Sequence, residues 1–351
     1  MTQLTRVLRL RPQDRDRLHV LFLAKHALAT GAPDAEDGNH AVYHHEVRTT
    51  LEKLGIRVSA ADSFDAITRK PDADYVFTLL NRAGFQNSEM LGPTLLTGRG
   101  VPFLGASPII RGVADDKHLM KRLAVHHGLP VAPWAIYRRG GEPLRSPDFG
   151  WDRLVVKPNA SSASWGVGIY EGWSEARDHA EALIGEGHDV IVERHVGDQD
   201  VVVAAIGVDD PVLLPPTRFV LPGTDDNFRS YEEKRALVGG SGGERLTAIG
   251  DGELARRIKA LAARLLPELW PFDYGRFEFR HDRRTGALAF MEVNLSCNLW
   301  SKKTVAGAAA LVGYGYPDLI ETILAHSLRR QGVIRGVDVE DRLPPKELLA
   351  A

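Results

Sequence analysis

Short apolar runs separated by amphipathic or polar segments dominate the first part of the chain. The runs that predict buried strands are His19–Ala24, Ile56–Val58, Asp74–Leu80 and Val101–Leu104. Between the first two, Ala41–Leu54 has the pattern of a helix, and Gly55 is placed to end it. Strands that alternate with helices favour an open parallel α/β sheet over residues 1–105.

Further along the chain, each pattern predicts a distinct element. The predicted elements are a helix at Asp115–Leu129, a strand at Leu154–Pro158, a small-residue loop at Asn159–Gly168, two apolar runs within Val190–Ala205 and a helix at Leu254–Leu269. The two runs within Val190–Ala205 flank a polar turn, which an ordinary hairpin would also contain. Residues 238–244 are rich in Gly and Ser and predict a mobile lid, whereas residues 331–351 predict a surface tail.

Polar and apolar positions alternate most regularly between Gly275 and Lys303. Two alternating runs flank the turn at residues 282–286, which is the pattern of a β-hairpin. Because side chains alternate across a strand, Arg276, Glu278 and Arg280 are expected on one face. On the return strand, the predicted faces are Phe290, Glu292 and Asn294 on one side and Met291, Val293 and Leu295 on the other.

This hairpin, if suitably paired, brings Glu278, Glu292 and Asn294 together. Hard oxygen ligands on rigid strands suit Mg²⁺, which favours carboxylates completed by substrate phosphates. The solvated face of an antiparallel sheet would carry similar residues. The pattern alone therefore leaves both interpretations open.

Composition narrows the classes of function. The chain has 351 residues, 44% hydrophobic and 26% charged, which is enough for two or three domains with ordinary cores. A formal net charge of −2 gives no electrostatic argument for a nucleic-acid or membrane partner. Without a bilayer-spanning run or a signal peptide we expect a cytoplasmic protein, and a homodimer stays open. The single cysteine, Cys297, excludes an intrachain disulfide.

Histidines cluster near the first predicted helix. Two of His40, His44 and His45 could share a helix face, but we expect no acidic or thiol ligand to join them in one site. His126 and His127 are adjacent and cannot both face one site on a helix. We therefore expect satisfied or solvated histidines rather than a metal site.

The order of Glu278, a turn, Glu292-x-Asn294, a polar loop and a helix resembles the metal-binding end of the ATP-grasp superfamily, and within it the D-alanine–D-alanine ligase family. The resemblance implies that Glu278, Glu292 and Asn294 hold two Mg²⁺ ions, or Mn²⁺ in their place. It also implies that Arg276, two residues before the first acid, contacts the transferred phosphate. The family usually has Asp as the first acid, so the longer Glu278 should alter metal geometry but not metal binding itself.

The resemblance also assigns residues to the phosphates of ATP. An Asp-Lys-x-x-x-Lys helix followed by Gly-x-Pro matches the family and assigns a phosphate-binding role to Lys117. A Val-Lys-Pro strand assigns a second such lysine, Lys157, and the loop after it provides Ser162 and Ser164, whose N–H and hydroxyl groups suit phosphate oxygens. By register, the lysine that reaches the transferred phosphate is Lys234.

The segment after residue 190 resembles the adenosine site of the family. The resemblance assigns Glu193 to the adenine amino group, the backbone of His195 and Val196 to the ring, and Asp200 to the ribose hydroxyls. Carboxylates suit these tasks because they accept hydrogen bonds from an amine or a diol.

Several departures from the family motif bear on the substrates. Ala163 stands where the family has a serine that orients substrate, and Lys303 stands where a serine holds the carboxylate of the acceptor. Asn298 replaces a Gly of the same loop, and Cys297 replaces a Pro; we expect the thiol to be a spectator, since acyl-phosphate chemistry needs no such nucleophile. The glutamate motif that opens those ligases is missing, with Glu46 as a candidate substitute. These departures favour substrates other than a pair of D-alanines, with Lys303 holding a carboxylate of the amine acceptor.

Together, pattern and resemblance predict an ATP-grasp fold of the α/β and α+β classes. It would comprise an open parallel α/β domain (1–105), a central lid subdomain (106–196), a C-terminal metal-binding subdomain (197–330) and the tail. The implied reaction phosphorylates a small-molecule carboxylate with ATP, after which an amine attacks the acyl phosphate and an amide, ADP and phosphate are formed. A genuine D-alanine–D-alanine ligase and an ATP-binding module without turnover are the alternatives.

Overall fold

The computed structural model describes residues 5–81, 88–161, 164–208, 210–220, 245–250 and 252–343 of the chain. Within this part the strands form four sheets, with helices on their faces. The predicted mixture of α/β and α+β layers is confirmed. No helix among these residues is long and apolar enough to cross a bilayer.

A three-stranded parallel sheet forms near the start of the chain, as the apolar runs predict. Its strands are β2 (His19–Leu23), β3 (Arg57–Ala61) and β4 (Tyr75–Thr78), in the order β3-β2-β4. The preceding elements are β1 (Thr5–Arg9) and α1 (Pro12–Arg17), and α2 (His40–Lys53) connects β2 to β3. The fourth predicted strand is wrong in extent, because only Phe103 makes an isolated parallel bridge, to Val76.

A four-stranded antiparallel sheet forms the central part of the chain. The helices α3 (Leu91–Thr97), α4 (Pro108–Asp115) and α5 (Lys117–His126) precede it. Its strands are β5 (Trp134–Tyr137), β6 (Leu154–Pro158), β7 (Gly168–Tyr170) and β8 (Val190–Arg194), in the order β5-β8-β6-β7. Helix α6 (Trp173–Gly185) covers one face, where Ala180 and Leu183 pack against Val156 and Val192.

The largest of the described sheets is antiparallel and carries the predicted hairpin. Its strands are β9 (Gln199–Gly207), β10 (Pro211–Leu213), β11 (Thr217–Val220), β12 (Arg245–Ala248), β13 (Tyr274–His281) and β14 (Leu288–Asn294), in the order β12-β11-β9-β13-β14, with β10 also paired to β9. Helix α7 (Glu253–Leu269) and α5 pack on one face. Helices α8 (Thr304–Leu311) and α9 (Tyr316–Arg330) pack on part of the opposite face.

Strands β8 and β9 belong to different sheets, so they do not form a hairpin. Residues 195–198 carry the chain from the central sheet to the larger one. The ordinary-hairpin alternative is wrong because β8 pairs with β5 and β6, whereas β9 pairs with β10, β11 and β13. The polar segment that looked like a turn is therefore the crossing between two sheets.

The first sheet and the last two helices share one apolar core. Its members include Phe22, Tyr75, Phe77, Ile320 and Leu324. A fully buried carboxylate, Asp273, ties these parts together: its Oδ2 accepts hydrogen bonds from the N–H of Gly105 (2.5 Å) and the hydroxyl of Ser327 (2.7 Å), and its Oδ1 accepts one from Nε of Arg330 (3.0 Å). The division at residues 105, 196 and 330 stays a prediction.

The predicted surface tail contains a strand. β15 (Asp338–Arg342) pairs antiparallel with β1, so that Arg342 lies opposite Thr5 and Asp338 opposite Arg9. The side chains of β15 are mostly exposed, yet Ile334 and Val337 just before it are buried in the shared core. Residues 338–342 are therefore held at the surface by backbone pairing with β1, whereas Ile334 and Val337 are held by burial in the core.

Candidate active site

A cavity of about 560 Å³ lies where the three larger sheets meet. The residues of the predicted site that line it are Lys117, Lys157, Ser164, Glu193, His195, Val196, Asp200, Arg276, Glu278, Glu292, Asn294, Asn298 and Lys303. Ser162, Ala163, Lys234 and the glycine-rich stretch 238–244 lie outside the described residues. The structure thus brings side chains from separate stretches of sequence around one space.

The hairpin β13–β14 places the metal-ligand candidates opposite one another. Glu278 pairs with Glu292, and Arg276 pairs with Asn294. Cross-strand partners lie close enough for their side chains to interact directly. The two carboxylates and the amide therefore project from one patch of the sheet into the cavity.

A β-bulge corrects one predicted face of the return strand. The register shifts after Glu278, because Phe279 pairs with Phe290 and Met291 is the extra residue. Such a bulge inserts one extra residue into a strand, so the residues beyond it exchange faces of the sheet. Phe290 consequently packs in the apolar core and Met291 lines the cavity, the reverse of the strict alternation expected from sequence.

Each carboxylate of this patch has a cationic neighbour. Nε of Arg276 donates to Oε1 of Glu278 at 2.8 Å, and Nζ of Lys117 lies 3.4 Å from Oε2 of Glu292. Burial alone would lower the pKa of Arg276, but the charge of Glu278 outweighs it and raises that pKa above its usual range. The guanidinium therefore stays charged beside the position expected for transferred phosphate.

The three candidate ligands, Glu278, Glu292 and Asn294, fit Mg²⁺ only if a substrate supplies further oxygen ligands. In the described part of the chain, no group of three or more His, Cys, Asp or Glu side chains could hold a metal. Two carboxylates and one amide oxygen leave several positions of an octahedral ion to water and phosphate, which is the arrangement Mg²⁺ adopts with nucleotides. The protein cations beside both carboxylates are consistent with a patch that attracts positive charge.

Helix α5 begins at the wall of the cavity. Asp116 caps it by accepting a hydrogen bond from the N–H of Leu119 at 2.9 Å. The fully buried Asn159, after β6, accepts from the N–H groups of Lys117 (3.0 Å, to its carbonyl) and His118 (2.8 Å, to its side chain). The start of α5 and the small-residue loop are thus fixed to each other.

The described part of the small-residue loop contains two residues with left-handed backbone conformations. Ser164 has φ of 63°, a left-handed conformation that is uncommon for residues other than glycine. Gly166 has φ of 68°, and a Cβ there would lie 2.9 Å from Pro158. Nζ of Lys117 donates to the carbonyl of Ser161 in the same loop at 2.8 Å. Lysine and loop therefore act on the same end of the cavity.

A buried ion cluster lies at the part of the cavity wall that β6 and β8 form. Nζ of Lys157 lies 2.5 Å from Oε1 of Glu193, and Nζ of Lys121 lies 2.8 Å from Oε2 of the same carboxylate. Glu193 and Lys121 are fully buried. Burial alone would raise the pKa of Glu193, but the charges of Lys121 and Lys157 lower it to about 2. Lys121 is the second lysine of the Asp-Lys-x-x-x-Lys motif, to which the sequence alone assigns no role.

Three other residues of the predicted adenosine site have partners within the protein. Asp200 accepts a hydrogen bond from Nη1 of the buried Arg280 at 2.8 Å, and Arg280 also donates to the carbonyl of Val196 at 3.2 Å. The N–H of His195 donates to the carbonyl of Arg153 at 2.9 Å. Because a residue has one backbone N–H, His195 could offer its carbonyl but not its N–H to a ring.

One wall of the cavity, formed by α2 and the segment that joins β2 to it, contains none of the predicted site residues, so sequence reasoning missed it. It consists of Lys25, Asp37, His40, Tyr43 and His44. Asp37 is buried and contacts Lys25 and Nε2 of His26, the latter at 2.9 Å. His44 is also buried, with its ring centroid 6.0 Å from that of His40. The spacing of His40 and His44 along α2 was the available signal, since it predicts a shared face.

The loop of residues 295–303 lies beside this wall, since the N–H of Leu299 donates to the hydroxyl of Tyr43 at 3.1 Å. Glu46 reaches the loop rather than the cavity, because its Oε2 accepts a hydrogen bond from the hydroxyl of Ser301 at 3.0 Å. Oδ1 of Asn298 accepts one from the N–H of Trp300 at 2.7 Å, so Asn298 supports the turn that presents Lys303. Cys297 is buried, and burial raises the pKa of its thiol to about 12, as expected for a spectator.

Comparison with known proteins shows which family has a similar sequence. The family model described as "D-ala D-ala ligase C-terminus" matches residues 123–325. An uncharacterized protein of Sinorhizobium fredii is 27% identical over 239 residues, which cover 68% of this chain and 70% of that protein. The D-alanine–D-alanine ligase of Desulfotalea psychrophila is 27% identical over 305 residues, which cover 83% and 90%.

A solved structure has the same fold. The crystal structure of the D-alanine–D-alanine ligase from Bacillus anthracis complexed with ATP matches with a TM-score of 0.70 at 17% identity, over 91% of this chain and 100% of that one. Since the family model spans more than half of the sequence, the chain belongs to the D-alanine–D-alanine ligase family of the ATP-grasp superfamily, whose members are ATP-dependent ligases that form C–N bonds.

Proposed function

We propose that this chain joins two amino acids through an acyl phosphate, at the cavity between its sheets. One observation carries the proposal: the cavity collects two carboxylates and an amide for Mg²⁺, cations for phosphate, and the buried carboxylate assigned to adenine. Such a complete set favours turnover over an ATP-binding module without chemistry.

The residues divide the work by position along the cavity. Lys117 and Lys157 would hold the phosphates of ATP, and Arg276 would stabilise charge on the transferred phosphoryl group. Mg²⁺, held by Glu278, Glu292 and Asn294, would supply charge neutralisation on the phosphoryl oxygens. The amine of the second substrate would then attack the acyl phosphate, with ADP and phosphate as the other products.

The relatives favour D-alanine as both substrates, because the curated ligase named above is a D-alanine–D-alanine ligase. They therefore favour a genuine D-alanine–D-alanine ligase, whereas the departures from the family motif favour other substrates. D-Alanine is the first substrate to test in both positions.

A second candidate is a ligase for a larger or acidic amine acceptor. Lys303 lines the cavity where the family has a serine, and the wall beside its loop presents Lys25, His40 and His44. Cations and imidazoles suit a second carboxylate on the acceptor better than they suit a methyl side chain.

An ADP-release assay tests both candidates. The purified protein is incubated with MgATP and pairs from a panel of D- and L-amino acids, and the products are identified by mass spectrometry. D-Alanyl-D-alanine formed with the highest kcat/KM supports the first candidate; a higher kcat/KM with an acidic or larger acceptor, reduced by Lys303→Ser, supports the second. ATP binding without ADP release for every pair would contradict the proposed ligation.

A further inference from the structure

The buried ion cluster of Lys121, Glu193 and Lys157 contains a charge that the proposed reaction does not use. Lys157 and Glu193 line the cavity, whereas Lys121 is fully buried behind them. Lys121 stands four residues after Lys117 on α5, so both lysines lie on the same face of that helix. The Nζ of Lys121 also lies 5.8 Å from the centre of the Trp134 ring.

The cluster has two cations for one carboxylate. Oε1 of Glu193 is paired to Lys157 and Oε2 to Lys121. A buried carboxylate that loses its partner is strongly destabilised, and it takes up a proton instead of staying charged. One cation is enough to keep Glu193 ionised. While the nucleotide is absent, the cluster therefore holds one cation more than this carboxylate requires.

Nucleotide binding changes this balance. A triphosphate in the cavity would compete for Lys157, because that ammonium lies at the cavity wall and phosphate oxygens carry more charge than one carboxylate. Lys121, enclosed by protein, has no such competitor. It would remain as the partner that keeps Glu193 ionised.

We propose that Lys121 is a positioning residue for adenine recognition: it holds Glu193 ionised and oriented while Lys157 turns to the phosphates. The proposal rests on the proposed function, since it assumes that Glu193 accepts a hydrogen bond from the adenine amino group. A carboxylate has enough lone pairs to accept a hydrogen bond from this amine while it stays paired to one lysine. Lys121 thereby acts on the base through Glu193 without touching the nucleotide.

The test compares ATP with inosine triphosphate, which has a carbonyl in place of the amino group. Dissociation constants of both are measured by calorimetry for the wild type, Lys121→Met and the matched control Arg122→Met, an exposed cation one residue further along α5. We expect the wild type to prefer ATP and Lys121→Met to lose about tenfold of that preference, a factor equal to ~1.4 kcal/mol. Arg122→Met should keep the preference of the wild type.

Glu193→Gln and the double variant complete a cycle. If Lys121 acts through Glu193, adding Lys121→Met to Glu193→Gln leaves the ratio of the two dissociation constants unchanged. This comparison also decides the matter if Lys121→Met alone does not fold, with equal ratios in support and unequal ratios against. A Lys121→Met variant that loses affinity equally for both nucleotides would overturn the inference, as would a wild type without preference for ATP.

These outcomes are separate from those of the ligation assay. A wild type that prefers ATP but releases no ADP contradicts ligation and leaves the role of Lys121 standing. Ligation by a protein whose ATP preference survives Lys121→Met contradicts the role of Lys121 alone.

Discussion

At the scale of single residues, we expect the loss of the Glu292 carboxylate to lower kcat strongly. It faces Glu278 across the hairpin and lies 3.4 Å from Lys117. We expect Glu292→Gln to lower kcat about 100-fold or more, a barrier increase of at least ~2.7 kcal/mol, because an amide cannot replace a charged metal ligand. Turnover is measured by ADP release as Mg²⁺ is varied.

Glu181→Gln is the matched control for this change. Glu181 is on α6 with a half-exposed side chain far from the hairpin in sequence, and it should not affect turnover. Melting temperatures of both variants should stay near that of the wild type. A Glu292→Gln enzyme with kcat within about tenfold of the wild type would show that Glu292 does not hold the metal.

The buried His44 predicts a pH effect on stability. Burial lowers its pKa from 6.5 to about 3, with further lowering by His40, His26 and Lys25 and an opposing effect of Asp37. His44 therefore binds a proton near pH 6.5 in the unfolded chain, but only near pH 3 in the folded chain. Stability from neutral His44 is present above pH 6.5 and is lost as the pH falls towards 3, by about 2 kcal/mol between roughly pH 7.5 and pH 5.

Urea unfolding of the wild type and His44→Gln measures this contribution. Glutamine keeps a polar side chain without a titration, so only the wild type should lose the extra ~2 kcal/mol between the two pH values. Both proteins will also lose stability through their other titrating groups, and the difference between them isolates His44. Parallel pH dependences would mean that His44 can be protonated in the folded protein.

At the scale of elements, strand β9 and helix α9 meet at a position without room for a side chain. A Cβ on Gly207 would lie 2.4 Å from the ring of His326, which is buried with its Nδ1 hydrogen-bonded to the carbonyl of Val208 at 2.8 Å. We expect Gly207→Ala to destabilise the protein by roughly 1–3 kcal/mol, the usual cost of overpacking. The measurement is the shift of the urea midpoint.

Gly185→Ala, at the end of α6, is the control. No atom lies within 4 Å of a Cβ built at Gly185. Because alanine reduces the freedom of the unfolded chain, this change should stabilise the protein by roughly 0.4–1 kcal/mol. If Gly207→Ala behaves like Gly185→Ala, β9 and α9 are free to move apart.

The elements also mark what the sequence can and cannot predict. Alternation predicts the hairpin β13–β14 and the face of Glu278, but not the bulge at Met291, because an extra residue is defined only by the partner strand. The polarity of residues 195–198 is the same in a turn and in a crossing between sheets. Similarly, the motif around Lys117 indicates a helix, while the ion pair of Lys121 with Glu193 needs two distant segments to meet.

At the scale of the whole molecule, the shared core makes the first and last parts of the chain one structural unit. Tyr75 of the first sheet donates a hydrogen bond to Ser327 of α9 at 2.7 Å, and Ser327 donates to Asp273. A division of the chain into consecutive segments cannot describe these contacts, because residues far apart in sequence form one core. The cavity lies between this unit and the central sheet, and both contribute residues to its lining.

The pairing of β1 with β15 means that the order of the chain could be changed without changing its fold. Thr5 lies opposite Arg342, and antiparallel partners have Cα atoms about 5 Å apart, so a short linker can join them. New ends could be opened between Gly140 and Gly141, which are both exposed, in a turn after β5. This circular permutant should fold and bind ATP with the affinity of the original chain, which calorimetry would measure. If the permutant behaves in this way, the path through the three larger sheets carries ATP binding, and the order in which its segments are encoded does not.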